Sequence, residues 1–150
     1  MISVYCCTFI GHRDCVPETQ NKLYNVIELL IKEYNVTTFY VGTHGSFDYY
    51  AYTTLCELEK IYDIKIIVVL AYLNNIPDYF DREKTIFPDV LEKSPFKFAV
   101  IKRNNYMIEK SQFLICCIDH TFSNSYNFIK KAISKKMKII NLGKLDMNKI

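Results

Sequence analysis

Three short stretches of the chain concentrate residue types that hold anions, and each follows an apolar run. They are Gly11-His12-Arg13-Asp14, Gly42-Thr43-His44-Gly45-Ser46-Phe47-Asp48 and Asp119-His120-Thr121-Phe122-Ser123-Asn124-Ser125; Arg103-Asn104 follows a fourth run. Gly11, Gly42 and Gly45 are three of only four glycines, and the fourth, Gly143, follows the last apolar run. Small and hydroxylated residues let backbone N–H groups and a helix N-terminus approach an anion. The pattern is that of a phosphate cradle, without the spacing of GxGxxG or of a Walker loop.

Each residue also has a plainer role. Gly42 and Gly45 suit turns that need positive φ. Asp48, in a first helical turn, complements the helix dipole; beside a phosphate it would repel, so a binding role would be to accept from a ribose hydroxyl or a base amine. His12 and His44 suit hydrogen-bonded turns. Arg103 is one of three arginines, and at a strand end its fork suits bidentate phosphate or carboxylate recognition, with a structural salt bridge as the alternative. The lysines at 130–138 read as a solvated helix face.

The elements that must position these residues alternate. Strands are expected at Ile2–Ile10, Val36–Val41, Lys65–Tyr72, Phe98–Ile101, Gln112–Ile118 and Met137–Leu142. A helix entered through Pro17 carries Leu23, Val26, Ile27, Leu30, Ile31 and Tyr34 on one face. A second, capped by Ser46, presents Phe47, Ala51, Leu55, Leu58 and Tyr62. A short helix is expected at Asn104–Lys110, and Ser123–Lys136 forms one with Tyr126, Ile129, Ala132 and Ile133 inward. Asn74 to Lys97, with Pro77, Pro88 and Pro95, has no sustained period and is expected to be functional or to hold short irregular helices. Strand–helix alternation with near-continuous apolar runs predicts one α/β domain. It is a Rossmann-like, doubly wound, mostly parallel sheet of about six strands with helices on both faces. Ligands of such sheets sit beyond the carboxyl ends of the strands.

Composition narrows the classes. The 150 residues are 50% apolar and 23% charged, which excludes a disordered or collagenous chain. Apolar runs are strand-sized, too short to cross a bilayer. No basic n-region precedes the first run, and a cytoplasmic protein is expected. The net charge of only +3, with 16 of the 19 basic side chains lysine, argues against nucleic acid as a partner. Six cysteines without CxxC suggest reduced thiols. In strands, Cys6-Cys7 and Cys116-Cys117 must point to opposite faces, so neither pair closes on a metal; no metal and no cofactor is assigned.

The stretches C-C-T-F-I-G-H-R-D-C at 6–15, F-Y-V-G-T-H-G-S-F-D at 39–48 and V-L-A-Y-L at 69–73 resemble small bacterial SLOG proteins of the YpsA-like branch. T-I-F-P-D-V-L-E at 85–92, F-A-V-I-K-R-N-N-Y-M-I at 98–108 and I-I-N-L at 139–142 continue the resemblance along essentially the whole chain. That branch belongs to a Rossmann-like superfamily named for Smf/DprA and Lonely Guy proteins, which also includes the sensor domain of the Thoeris effector. The resemblance implies a nucleotide-derived ligand, with a cyclic ADP-ribose-type signal among the possibilities. Two departures stand out. Ser123-Asn124 replaces the usual Gly-Gly, and 119–130 lacks the glutamate that is catalytic in the Lonely Guy hydrolases.

The expected function is therefore binding, as a sensor or sequestering protein, at Gly11, His12, Arg13, Gly42, Thr43, His44, Gly45, Ser46, Asp48, Arg103, Asn104, Thr121, Ser123, Asn124 and Ser125. Cleavage of a nucleotide N-glycosidic bond, with Asp48 or Glu57 replacing the missing glutamate, is the alternative. Single-stranded DNA binding ranks third. Surplus apolar surface on so small a domain predicts a homodimer or higher homo-oligomer.

Overall fold

The computed structural model describes residues 4–12 and 16–149; Arg13, Asp14 and Cys15, with the first three residues and the last, lie outside the described residues. The elements are β1 (Tyr5–Gly11), α1 (Thr19–Tyr34), β2 (Val36–Val41), α2 (Gly45–Glu59), β3 (Lys65–Val69), β4 (Thr85–Ile86), α3 (Ala99–Lys110), β5 (Phe113–Cys117), α4 (Asn124–Ser134) and β6 (Lys138–Asn141). The strands form one sheet in the order β4-β3-β2-β1-β5-β6, with every neighbouring pair parallel. The doubly wound α/β architecture predicted from the alternation is the one observed.

Side-chain alternation along the central strands builds two cores. Cys7, Phe9, Phe39, Phe113, Ile115 and Cys117 pack with Leu23, Ile27 and Leu30 of α1 and with Phe47, Ala51, Leu55 and Leu58 of α2. Ile10, Leu114, Cys116 and Ile118 face the other way, onto Ile108 of α3 and Phe128, Ile129 and Ala132 of α4. All five residues of β5 are buried, as a strand covered on both faces requires. The adjacent cysteines point to opposite faces. Cys7, Cys116 and Cys117 are buried, and burial pushes the Cys116 thiol up to about 12, away from thiolate chemistry.

Helix ends follow local chemistry. Asn35 closes α1 in the left-handed conformation, its N–H donating to the Leu30 carbonyl. Ser123 caps α4, its hydroxyl accepting from the Tyr126 N–H at 3.2 Å. Lys135 ends the same region by placing its ammonium on the carbonyls of Ile108, Glu109 and Ser111, where α3 terminates.

The structure corrects several expectations. Phe98–Ile101 is not a strand. Phe96–Phe98 forms a single 3₁₀ turn and Ala99 begins a twelve-residue helix whose buried face is Ala99, Arg103, Met107 and Ile108. A four-residue apolar run does not distinguish strand from buried helix, and the i, i+4, i+8 spacing running on through Arg103 and Met107 decides for helix. The sixth strand is instead Thr85–Ile86, two residues inside the proline-bearing segment, paired with Val68 and Val69. That segment also holds 3₁₀ turns at Arg82–Lys84 and Asp89–Leu91, the short irregular helices its composition suggests. The third strand stops at Val69 rather than Tyr72. Ile133, expected to face inward, is exposed, because the α4 stripe runs through Phe128, Ile129 and Ala132.

Candidate functional site

The chain winds outward from β1 through β2 and β3 to β4, then crosses to β5 on the opposite side of β1. The strand order reverses between β1 and β5, and this is where an open parallel sheet leaves a crevice at its carboxyl edge. Gly11 and Cys117 pair at that edge. A Cβ on Gly11 would lie 2.5 Å from the Phe47 ring, so the close packing of α2 against β1 requires glycine. From the other face, Ser125 in the first turn of α4 donates its hydroxyl to the Gly11 carbonyl at 3.0 Å.

A cleft of about 400 Å³ opens here, lined by Gly11, His44, Asp48, Arg103, Asn104, Asn124 and Ser125. These seven come from three of the stretches read as strand-end chemistry and from α3. Lys97, Val100, Ile101 and Phe128, which the sequence reading did not single out, complete the wall with Phe9 and Ile10. Thr121 is exposed and stands away from this lining, and Ser123 serves it only indirectly, as the cap of α4.

The β2–α2 turn is built around two glycines with different reasons. Gly45 has φ of 86°, in the left-handed region. Gly42 is not there for positive φ: a Cβ on it would meet the Asp48 Oδ2 at 2.8 Å and the Arg103 Cζ at 2.9 Å. Ser46 does not cap α2. His44 occupies the N-cap position, and the Asp48 carboxylate reaches back to accept from the His44 N–H at 2.9 Å. That inward reach buries Asp48. Burial pushes its carboxyl up to about 6, against the pull of Arg103 and of the His44 N–H in the opposite direction.

Arg103 lies inside α3, not at a strand end, and is 2% exposed. An arginine solvated in the absence of ligand, the picture a phosphate clamp suggests, is not what the fold holds. Its Nε donates to Asn104 Oδ1 at 2.8 Å. One terminal nitrogen donates to Thr43 Oγ1 and the Val69 carbonyl, and the other reaches His44 Nδ1 at 3.3 Å. Arginine can only donate, so this contact leaves the proton of a neutral His44 on Nε2. One guanidinium thus ties the end of β3, the Thr43-His44 turn and α3 into a single wall of the cleft. Burial lowers its pKa and Asp48 opposes that, while Arg103 remains a cation at any physiological pH.

His12 stands beside the cleft. Its N–H donates to the Cys117 carbonyl, and its Nε2 accepts from the Asp119 N–H at 2.9 Å. The ring stacks on His120 at 4.4 Å, and His120 stacks on Phe122 at 5.3 Å. Burial first, then the neighbouring His120, lowers the His12 pKa. Asn141 staples the far side. Its Oδ1 accepts from the N–H groups of Ile118 and Gly143, and its Nδ2 donates to the carbonyls of Ile118 and Leu145. Its position at the end of the last strand was the only sequence signal for that role. Among the described residues no group of three or more His, Cys, Asp or Glu side chains is arranged to hold a metal ion.

No protein-family model matches the chain, and no curated protein matches it. Its fold is similar to that of DNA processing protein A (DprA) from Streptococcus pneumoniae, seen in an X-ray structure. The TM-score is 0.68 at 16% identity, over 92% of this chain and 50% of that one. The chain therefore spans about half the length of that protein, and at this identity the likeness is one of fold. Among the described residues no helix is long and apolar enough to cross a membrane.

Proposed function

We propose that the switch-point cleft binds a nucleotide or a nucleotide-derived signal, with cyclic ADP-ribose-type molecules among the candidates, and that the protein acts as a cytoplasmic sensor or sequestering module of the SLOG superfamily. The observation that carries this reading is convergence. Residues distant in sequence, from Gly11 to Ser125, line one cleft at the place where parallel sheets bind ligands, with a buried cation in its wall. The N-terminus of α4, capped by Ser123, supplies a favourable electrostatic pole for an anion. The SLOG-like motifs and the DprA-like fold support the superfamily placement. Mass spectrometry of the supernatant released by heating the purified protein tests the reading. A co-purified phosphorylated nucleoside is expected. Its absence, together with no calorimetric binding of nucleoside monophosphates, ADP-ribose or cyclic ADP-ribose, would overturn it.

Asp48 favours a second reading, N-glycosidic cleavage, because a carboxyl near pKa 6 in a cleft suits acid–base work. Glu57, the other candidate, is solvent-exposed beside Lys60 and does not line the cleft. Chromatography after incubation with nucleoside monophosphates decides: free base released at more than ~1 per second, the low end of ordinary turnover, would favour the enzyme. The likeness to a DNA-processing protein and the exposed His120–Phe122 stack, backed by half-buried His12, favour a third reading, single-stranded DNA. The small net charge opposes it, and titration with an oligothymidine at two salt concentrations is expected to show weak binding.

A further inference from the structure

A second pocket, of about 200 Å³, opens beyond the carboxyl end of β3, and His44 lines both it and the switch-point cleft. Its chemistry differs from that of the cleft. Asp48, Lys97 and Arg103 make the cleft a place for charge. Among the described residues lining the second pocket, His44 is the only ionisable side chain apart from the Tyr72 phenol, and the remaining wall is aromatic, aliphatic and amide with the hydroxyl of Thr43. The Tyr72 and Phe96 rings stack at 4.4 Å, 26° from parallel, and the Tyr72 hydroxyl donates to the Phe96 carbonyl at 3.0 Å, which fixes the pair. The edge of His44 meets Tyr72 at 6.0 Å. Phe96 is nonetheless 71% exposed, a large ring left uncovered at the pocket's rim. Asn74 and Asn75 bring carboxamides, each carrying both donors and acceptors, and Asn75 holds its turn at φ of 57°, a conformation asparagine tolerates.

We propose that this pocket takes the planar heterocycle of the ligand, stacked against the Tyr72–Phe96 pair with its edge read by the amides of Asn74 and Asn75. The inference rests on the nucleotide reading of the cleft, which would hold the phosphate end. Alone, the pocket is smaller than the ~300–1,000 Å³ of typical small-molecule sites, the size for one part of a larger ligand, and His44 is common to its wall and that of the cleft. Division of one ligand into a neutral flat part and an anionic part matches the division of side chains between the two chambers.

Calorimetry with the four common nucleoside monophosphates, ADP-ribose, cyclic ADP-ribose, ribose 5-phosphate and the parent nucleosides tests it on the wild type, Phe96→Ala and Tyr72→Leu. Phe96 is exposed, so Phe96→Ala should melt like the wild type. The expected result is that the base-bearing phosphate that binds best loses about tenfold or more in Phe96→Ala, the scale of one lost base–aromatic stack, while ribose 5-phosphate is unaffected. Tyr72→Leu should do the same, and saturation-transfer NMR should show the base protons in close contact. Equal affinities for ribose 5-phosphate and the nucleotides, or nucleotide binding indifferent to both substitutions, overturns the pocket and leaves the cleft standing. Phe96-dependent binding of nucleosides with no gain from a phosphate supports the pocket and removes the phosphate from the cleft. Binding of none of the probes overturns both.

Discussion

Asp48 and Arg103 approach from α2 and α3 on either side of Gly42, each within 3 Å of the point a Cβ would occupy on that glycine. The carboxyl edge of the sheet therefore carries a buried acid and a buried cation close together, and the absence of a side chain on residue 42 is what permits it. Gly42→Ala should cost about 1–3 kcal/mol, the range for overpacking, because two buried, hydrogen-bonded side chains must shift to admit the methyl. Gly45→Ala should cost about 1 kcal/mol for a different reason, the left-handed backbone at φ of 86°. Denaturant titration of both variants checks the order, and a Gly42→Ala protein as stable as the wild type would rule out the close approach.

Arg103→Ala should destabilise by about 3–5 kcal/mol, since it leaves the buried Asp48 without its cation and removes four hydrogen bonds from the cleft wall. Arg103→Lys should recover only part, because lysine lacks the planar fork that reaches Asn104, Thr43, Val69 and His44 together. Thermal melts give the answer. A melting temperature unchanged in Arg103→Ala would mean that the guanidinium is free to serve a ligand alone.

The raised carboxyl of Asp48 links stability to pH. The folded state holds this proton more tightly than the unfolded chain, so the contribution is fully present below about pH 4 and is lost as pH rises through about 6. The stability of the wild type relative to Asp48→Asn should fall by about 3 kcal/mol over that window. Binding of an anionic probe in the cleft should strengthen as Asp48 is protonated, a trend that Asp48→Asn should abolish. Parallel melts and calorimetry at pH 4.5 to 8 measure both, and superimposable pH profiles for the two proteins would contradict the linkage.

Lys135→Met should cost about 1.5–3 kcal/mol, the value of a charged hydrogen bond, because its ammonium serves three carbonyls where α3 ends. Hydrogen exchange should show the last turn of α3 opening first in the variant. Unchanged protection there would show the contact to be energetically idle.

Val90, Phe98 and Ile101 are large apolar side chains left exposed on α3 and the turns before it. We propose that a homodimer buries side chains of this group. Light scattering at tens of micromolar protein should give twice the mass of one chain, and Val90→Lys, outside the cleft lining, should weaken the dimer; a wild-type monomer at that concentration would discard the idea.

The alternation of strand and helix, the buried parallel sheet, the opposite-facing cysteine pairs and the Ser123 cap were legible in the sequence, because each depends on periods and residue types within a few positions. So was the convergence of residues from several strand ends on one crevice, which follows from the α/β class alone. The tertiary structure decided the rest. Ala99-Val100-Ile101 reads equally well as strand or helix over its own length, and the spacing on through Met107 indicates a helix only once Arg103, which reads as polar in the sequence, is known to be buried on that face. That choice moved Arg103 from an open strand end to a buried position, where its partners come from residues 34 to 60 positions away. Gly42 looked like a turn glycine, yet its constraint is the meeting of two side chains from different helices. Tyr72 and Phe96, at opposite ends of the proline-bearing segment, carry no shared local pattern; the β4 pairing with β3 folds the segment back and brings their rings together. Local periodicity specifies elements, whereas a site assembled across a sheet edge depends on distances that no single stretch of chain contains.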